Sequence, residues 1–194
     1  MARVERVCVY CGAADRVGEP YREAARHTGT LLARAGIELI FGGGRVGLMG
    51  MTAQAALAAG GRVTGIIPGF LHDREIGHTG VSELIVVGSM HERKQRMFER
   101  ADAFAVLPGG LGTLDETFEI MTWHQLRQHS KPIVIVDIGG YWRPLFALIE
   151  HAIGAGFAAE RTRRLIEVVD GPEALMQALA RAPEPQLPAA PERV

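Results

Sequence analysis

Three segments of the chain concentrate residues able to do chemistry. The richest is Leu107-Pro108-Gly109-Gly110-Leu111-Gly112-Thr113-Leu114-Asp115-Glu116. Its glycines separate an apolar run from a helical pattern that Thr113 is placed to cap. Backbone N–H groups of such a loop, at the positive end of a helix, form a cradle for an anion. The loop lacks the Gly-Lys-Ser/Thr ending of a Walker motif, which argues against triphosphate hydrolysis. Two acids beside an anion cradle have two readings. They complement the helix dipole, for about 0.3–1 kcal/mol each, or one of them faces the ligand as a base. Helical spacing puts Glu119 and Trp123 on the face of Glu116 and turns Asp115 about 100° away, so Glu116 is the better candidate base. The second segment, Gly88-Ser89-Met90-His91-Glu92-Arg93-Lys94, places two cations in the first turns of a helix. Cations are unfavourable there, a local cost that makes sense if an anion binds between them. The bland alternative is a solvated polar face continuing through Gln95, Arg96, Glu99 and Arg100. The third segment, Gly42-Gly43-Gly44-Arg45-Val46-Gly47-Leu48-Met49-Gly50, contains G-x-G-x-x-G. A dinucleotide site also needs an acid about 20 positions on; Ile66-Ile67-Pro68 stands there instead. What remains is a tight packing turn or a loop for an anion or sugar phosphate.

All three loops must be presented by a scaffold, and the hydropathy pattern supplies one. Short apolar runs at Arg6–Tyr10, Glu38–Phe41, Arg62–Ile67, Glu83–Val87, Ala103–Leu107, Pro132–Val136 and Leu165–Val169 read as strands covered on both faces. Helical patterns alternate with them at Pro20–Ala35, Leu48–Ala59, His91–Arg100, Thr113–His129, Pro144–Ala155 and Pro172–Ala182. This alternation predicts an α/β fold: one doubly wound, mostly parallel, Rossmann-like sheet of about seven strands with helices on both faces. Such sheets bind ligands beyond the carboxyl ends of the strands, beside a topological switch point, where loops that follow strands converge. Residues 1–182 are expected to form a single domain, and residues 183–194, rich in proline, a loose tail.

Composition narrows the class of function. The 194 residues are 47% hydrophobic and 22% charged with net charge −1, enough for a sizeable core and without a global pull toward nucleic acid or an anionic membrane. No stretch approaches a membrane span, and the N-terminus does not read as a signal peptide. A cytoplasmic enzyme or binding protein is expected. Cys8 and Cys11 form C-x-x-C, but Cys8 lies inside an apolar strand and no second cysteine pair completes a zinc site. They read as small buried residues. His72, Asp73, His78, His124 and His129 show no metal-ligand spacing, so no metal is expected.

The three segments together, as Gly42–Gly50, MHERK over Met90–Lys94 and PGGLGTLDE over Pro108–Glu116, resemble the LOG ("Lonely guy") family of cytokinin riboside 5′-monophosphate phosphoribohydrolases. The similarity spans roughly the first 140 residues. It implies hydrolysis of the N-glycosidic bond of an N6-modified AMP to free base and ribose 5-phosphate, without a cofactor, by a homodimer or larger homo-oligomer. Arg93 and Glu116 fall on the family's catalytic pair. Glu75, Lys94, Gly110, Leu111, Gly112, Thr113 and Thr122 fall on ligand-contacting positions. Gly43, Gly44, Met90, Pro108, Gly109, Leu114 and Asp115 complete the expected substrate-binding set. One departure stands in the first loop, where Ala13-Ala14 replaces small hydroxyl residues. Proteins of this family also carry the label lysine decarboxylase. A pyridoxal cofactor needs a lysine Schiff base, and the chain has only Lys94 and Lys131. Breaking a ribose–purine bond passes through an oxocarbenium-like sugar, which a carboxylate at Glu116 would stabilise while deprotonating water. Arg93 would orient the ligand or favour departure of the base. Two alternatives accompany this reading: a general AMP nucleosidase and a non-catalytic nucleotide carrier.

Overall fold

The computed structural model describes residues 4–75 and 77–182; the expected tail, 183–194, lies outside the described residues. Seven strands form one sheet: β1 (Arg6–Tyr10), β2 (Glu38–Phe41), β3 (Val63–Pro68), β4 (Glu83–Val87), β5 (Ala103–Val106), β6 (Ile133–Val136) and β7 (Glu167–Val169). The order is β4-β3-β2-β1-β5-β6-β7, and every pairing is parallel. Seven helices accompany them: α1 (Glu19–Arg34), α2 (Gly47–Ala58), α3 (Gly69–Glu75), α4 (Met90–Arg100), α5 (Leu111–Gln125), α6 (Arg143–Gly154) and α7 (Pro172–Arg181). The strand order reverses between β1 and β5, so the loops leaving those two strands diverge and open a crevice between them.

Alternation along each strand divides the core into two layers. Val7, Val9, Leu39, Phe41, Ala103, Ala105 and Val134 pack against Leu32 of α1, Ala53 of α2 and Leu175 of α7. Cys8, Tyr10, Ile40, Phe104, Val106 and Ile135 pack on the other face against Met97 of α4, Ile120 of α5 and Leu145 of α6. Fully buried side chains such as Phe41 and Phe104 contribute about 1.5–3 kcal/mol each. Cys8 and Cys11 belong to opposite layers and both are free thiols, which agrees with the expected role as small buried residues.

Most boundaries agree with the sequence reading to within one residue, and four differences are larger. Helix α3 was not expected; its sequence carries no capping residue to announce it. Helix α5 begins at Leu111 with Gly110, not Thr113, at its N-cap. It ends at Gln125 rather than His129 because Arg127 takes a left-handed conformation, φ 58. The N–H groups of Arg127 and Gln128 then bond back to the carbonyls of His124 and Trp123. This is a Schellman ending with arginine in the place where glycine normally marks the stop. Finally, a 3-10 turn over Glu160–Leu165 takes residues from the front of the strand expected at Leu165–Val169.

Candidate active site

The two catalytic candidates meet through elements from both sides of the crevice. Helix α4 is held at its start by a reciprocal cap. The Ser89 hydroxyl accepts from the Glu92 N–H at 3.1 Å, and the Glu92 carboxylate accepts from the Gly88 N–H at 3.0 Å. One turn in, Arg93 points inward and is 7% exposed. Its guanidinium donates to the Gly42 carbonyl at 2.9 Å and to the Ile66 carbonyl at 3.2 Å, oxygens at the ends of β2 and β3. Gly42 makes this possible, since a Cβ there would stand 1.8 Å from Nη2 of Arg93. Nη1 of Arg93 lies 3.9 Å from the Met90 sulfur and 3.7 Å from Oε1 of Glu116.

Glu116, in the second turn of α5, is 8% exposed. Burial pushes its carboxyl up to about 7, against the pull of Arg93; Asp115 and Glu119 add to the rise. A carboxyl poised near neutrality is suited to exchange a proton. Asp115 is turned outward to Lys94, whose Nζ bonds Asp115 at 3.1 Å and Glu119 at 3.0 Å. The helical-spacing argument that separated Asp115 from Glu116 therefore agrees with the structure.

A cavity of about 320 Å³ lies at the switch point, in the size range of small-ligand sites. Cys11, Gly12, Ala13 and Ala14 form one wall, and Gly110, Gly112, Thr113 and Glu116 the other. Met49, Leu71 and Arg93 close it. The first amides of α5 lack intrahelical acceptors and carry the positive end of its dipole to this cavity. The loop is fixed from behind. The Pro108 carbonyl accepts from the Gly12 N–H at 3.1 Å, and the Gly109 carbonyl accepts from the Tyr141 hydroxyl at 2.7 Å. Gly109 has no room for a side chain, because Thr113 Oγ1 would stand 2.1 Å from a Cβ there.

The remaining expected residues are dispersed. Met90 and Leu114 are half-buried, and Leu111 is 86% exposed beside the cavity wall. Gly43 and Gly44 do not line the cavity. The Gly43 carbonyl accepts from the His78 N–H, Gly44 bridges Gly77, and Asp15 accepts from the Gly47 N–H at 2.8 Å at the start of α2. This first glycine run thus shows contacts that pack and seat Arg93, with a protein carboxylate on its helix end. Thr122 is exposed and donates to the Phe118 carbonyl; it lies on the wall of a separate recess between α5 and α6. Glu75 ends α3, and its side chain lies outside the described residues. Neither lysine lines the cavity: Lys131 donates to the Phe98 carbonyl at 2.7 Å. Met49, Leu71 and Tyr141 were not anticipated. The family resemblance drew attention to Ala13-Ala14 in the first loop, and Met49 lies inside the Gly42–Gly50 segment, whereas no motif marked Leu71 or Tyr141.

Comparison with known proteins follows the same lines. The family described as "Possible lysine decarboxylase" matches residues 49–179. The cytokinin riboside 5′-monophosphate phosphoribohydrolase of Rhodococcoides fascians is 45% identical over 174 residues, covering 89% of this chain and 88% of that one. The enzyme LOG of Oryza sativa subsp. japonica is 44% identical over 165 residues, 85% of this chain and 68% of its own. Among solved structures, the molybdenum cofactor binding protein of Rippkaea orientalis has a TM-score of 0.70 at 22% identity, over 93% of this chain and 98% of that chain. That likeness is one of fold. Over most of its length the chain belongs to the LOG family of cytokinin riboside 5′-monophosphate phosphoribohydrolases.

Proposed function

We propose that this cavity hydrolyses the N-glycosidic bond of an N6-modified adenosine 5′-monophosphate, giving the free base and ribose 5-phosphate. The observation that carries this reading is Glu116, a buried carboxyl held near neutrality and facing Arg93 across a cavity walled by the first turn of α5. The phosphate sits on the amides of Gly110–Thr113 and anchors the sugar by binding energy remote from the reacting bond. Water attacks the anomeric carbon as the bond to the base breaks, and its proton passes to the Glu116 carboxylate. The electron pair of the broken bond leaves with the purine, which takes a proton from solvent. Arg93, tied to two carbonyls, needs no rearrangement to hold Glu116 and the ligand in place.

The reading extends to assembly. Phe118 and Leu148 are exposed along the α5–α6 recess, whose wall also holds Met121, Ile149 and Leu165. We infer that a second copy of the chain covers this face, and that Thr122 reaches a nucleotide only from there, in the cavity of the other copy. The described residues contain no helix long and apolar enough to cross a membrane, and two free thiols on opposite sides of the sheet suit the reducing cytoplasm.

Incubation with AMP and with N6-isopentenyl-AMP, followed by chromatography for base and ribose 5-phosphate, tests the activity. Release from the modified nucleotide that disappears in Glu116→Ala supports the assignment, and the ratio of the two rates measures the demand for the N6 group. Retained binding without release from either would replace the hydrolase by a carrier.

A further inference from the structure

At the far end of α5, about 20 Å from the first turn by helical rise, a second recess of about 290 Å³ has a different chemistry. It is lined by Arg127, Arg161, Arg164, His124 and His129 among others, and among the described residues by no carboxylate. Arg127 closes the α5 C-terminus, where a cation suits the helix dipole. That explanation does not extend to Arg161 and Arg164, which come from the 3-10 turn Glu160–Leu165. Side chains three apart on a 3-10 helix superpose, so these two arginines project in one direction. Arg163 between them turns elsewhere and pairs with Glu150 and Glu160. Among the described residues, no carboxylate lies within ion-pair distance of Arg161 or Arg164.

Two histidines stack behind the arginines. His129 is buried, bonds the Ile120 carbonyl through Nε2 and accepts the Lys131 N–H at Nδ1, so both of its nitrogens are engaged. The His124 ring stacks on it at 5.0 Å, and its Nδ1 is buried without a hydrogen-bond partner. Nδ1 of His124 has no accessible surface, so the histidines form the floor of the recess and leave any anion to the arginines.

We propose that this recess binds the phosphate group of a small phosphorylated compound, gripped by the guanidinium forks of Arg161 and Arg164. The site is separate from the glycine cradle on the same helix, and it does not depend on the hydrolase reading.

The test titrates inorganic phosphate and ribose 5-phosphate separately into the ¹⁵N-labelled full-length chain. Chloride holds the ionic strength constant, and the amides of Arg127, His129 and Ser130 report. Both compounds are expected to shift these amides saturably. The double variant Arg161→Ser/Arg164→Ser should weaken the effect about tenfold or more, as expected for two lost charge-assisted hydrogen bonds. Arg163→Ser should leave it unchanged. Tighter binding of ribose 5-phosphate would identify a phosphate ester as the preferred occupant, and equal binding the phosphate group alone. No saturable shift with either compound, or shifts that persist undiminished in the double variant, would overturn the proposal. All three arginines are exposed, and the single variant Arg164→Ser gives the same reading if the double one proves unstable.

Discussion

Replacing Glu116 by glutamine preserves the shape of the side chain while removing its charge and its capacity to accept a proton. Loss of the base is expected to lower kcat by about 10²-fold or more. The structure adds a separate expectation, on stability. Burial raises the carboxyl from its ordinary 4.5 to about 7, so the folded chain disfavours the ionised form by about 3 kcal/mol. Between those two pH values the folded chain binds more protons than the unfolded one. Stability from this group is therefore full below pH 4.5 and is lost as pH rises through 7. Glutamine carries no such penalty. Urea unfolding of both proteins at pH 4.5 and well above pH 7 should show the variant gaining about 3 kcal/mol on the wild type between the two conditions. A difference that does not change with pH would refute the reasoning, and so would a variant that loses ground above pH 7. The first result would mean that Arg93 just offsets the burial and the carboxylate ionises in its usual range, the second that Arg93 outweighs the burial and holds it below that range.

Other expectations follow from the same geometry. As the free enzyme's Glu116 ionises, kcat/KM should rise with pH around an apparent pKa near 7, whereas a profile flat across neutrality would exclude Glu116 as the base. Gly42→Ala, with its methyl 1.8 Å from Nη2 of Arg93, should expel the guanidinium and reduce turnover about 10²–10³-fold; wild-type rates in that variant would show that Arg93 need not be held there. Tyr141→Phe removes the bond that tethers the Gly109 carbonyl and should raise KM about 2–10-fold with kcat little changed, and a fall confined to kcat would count against a role in holding the cradle. Burial raises the thiols of Cys8 and Cys11, so iodoacetamide at neutral pH should label neither until the chain is unfolded, with mass spectrometry as the readout.

The parts of this molecule that were legible in its sequence are those where one local signal had one physical meaning. Unbroken apolar runs located β1 and β2 to the residue, because strands buried on both faces have no reason to alternate, and β4 equally, although it is an edge strand with Val86 exposed. The same logic divided Glu116 from Asp115 by helical angle alone. Where a signal served two masters, the reading wavered. The first glycine run matched an anion loop in composition, yet Gly42 is small so that Arg93 can enter, a reason supplied by a side chain far along the chain. Helix α5 overshot because its left-handed stop is an arginine, which costs more there than glycine and leaves no trace in a hydropathy pattern. Leu71 and Tyr141 reach the site from a short helix and a turn whose sequences carry no marker. Only the closure of the sheet brings them to the switch point.

The seating of Arg93 bears on how this family can change. A guanidinium tied to carbonyls rather than to a strong carboxylate partner keeps most of its field for whatever enters the cavity. The arrangement requires a vacancy at position 42, which is 51 residues away in the chain. A side chain at 42 would meet the guanidinium tip, so an arginine at 93 would have to leave this seat to accommodate it. A descendant that abandoned the chemistry would be free to lose both in either order, so a relative with a side chain at the first position of this glycine run should also have given up the arginine.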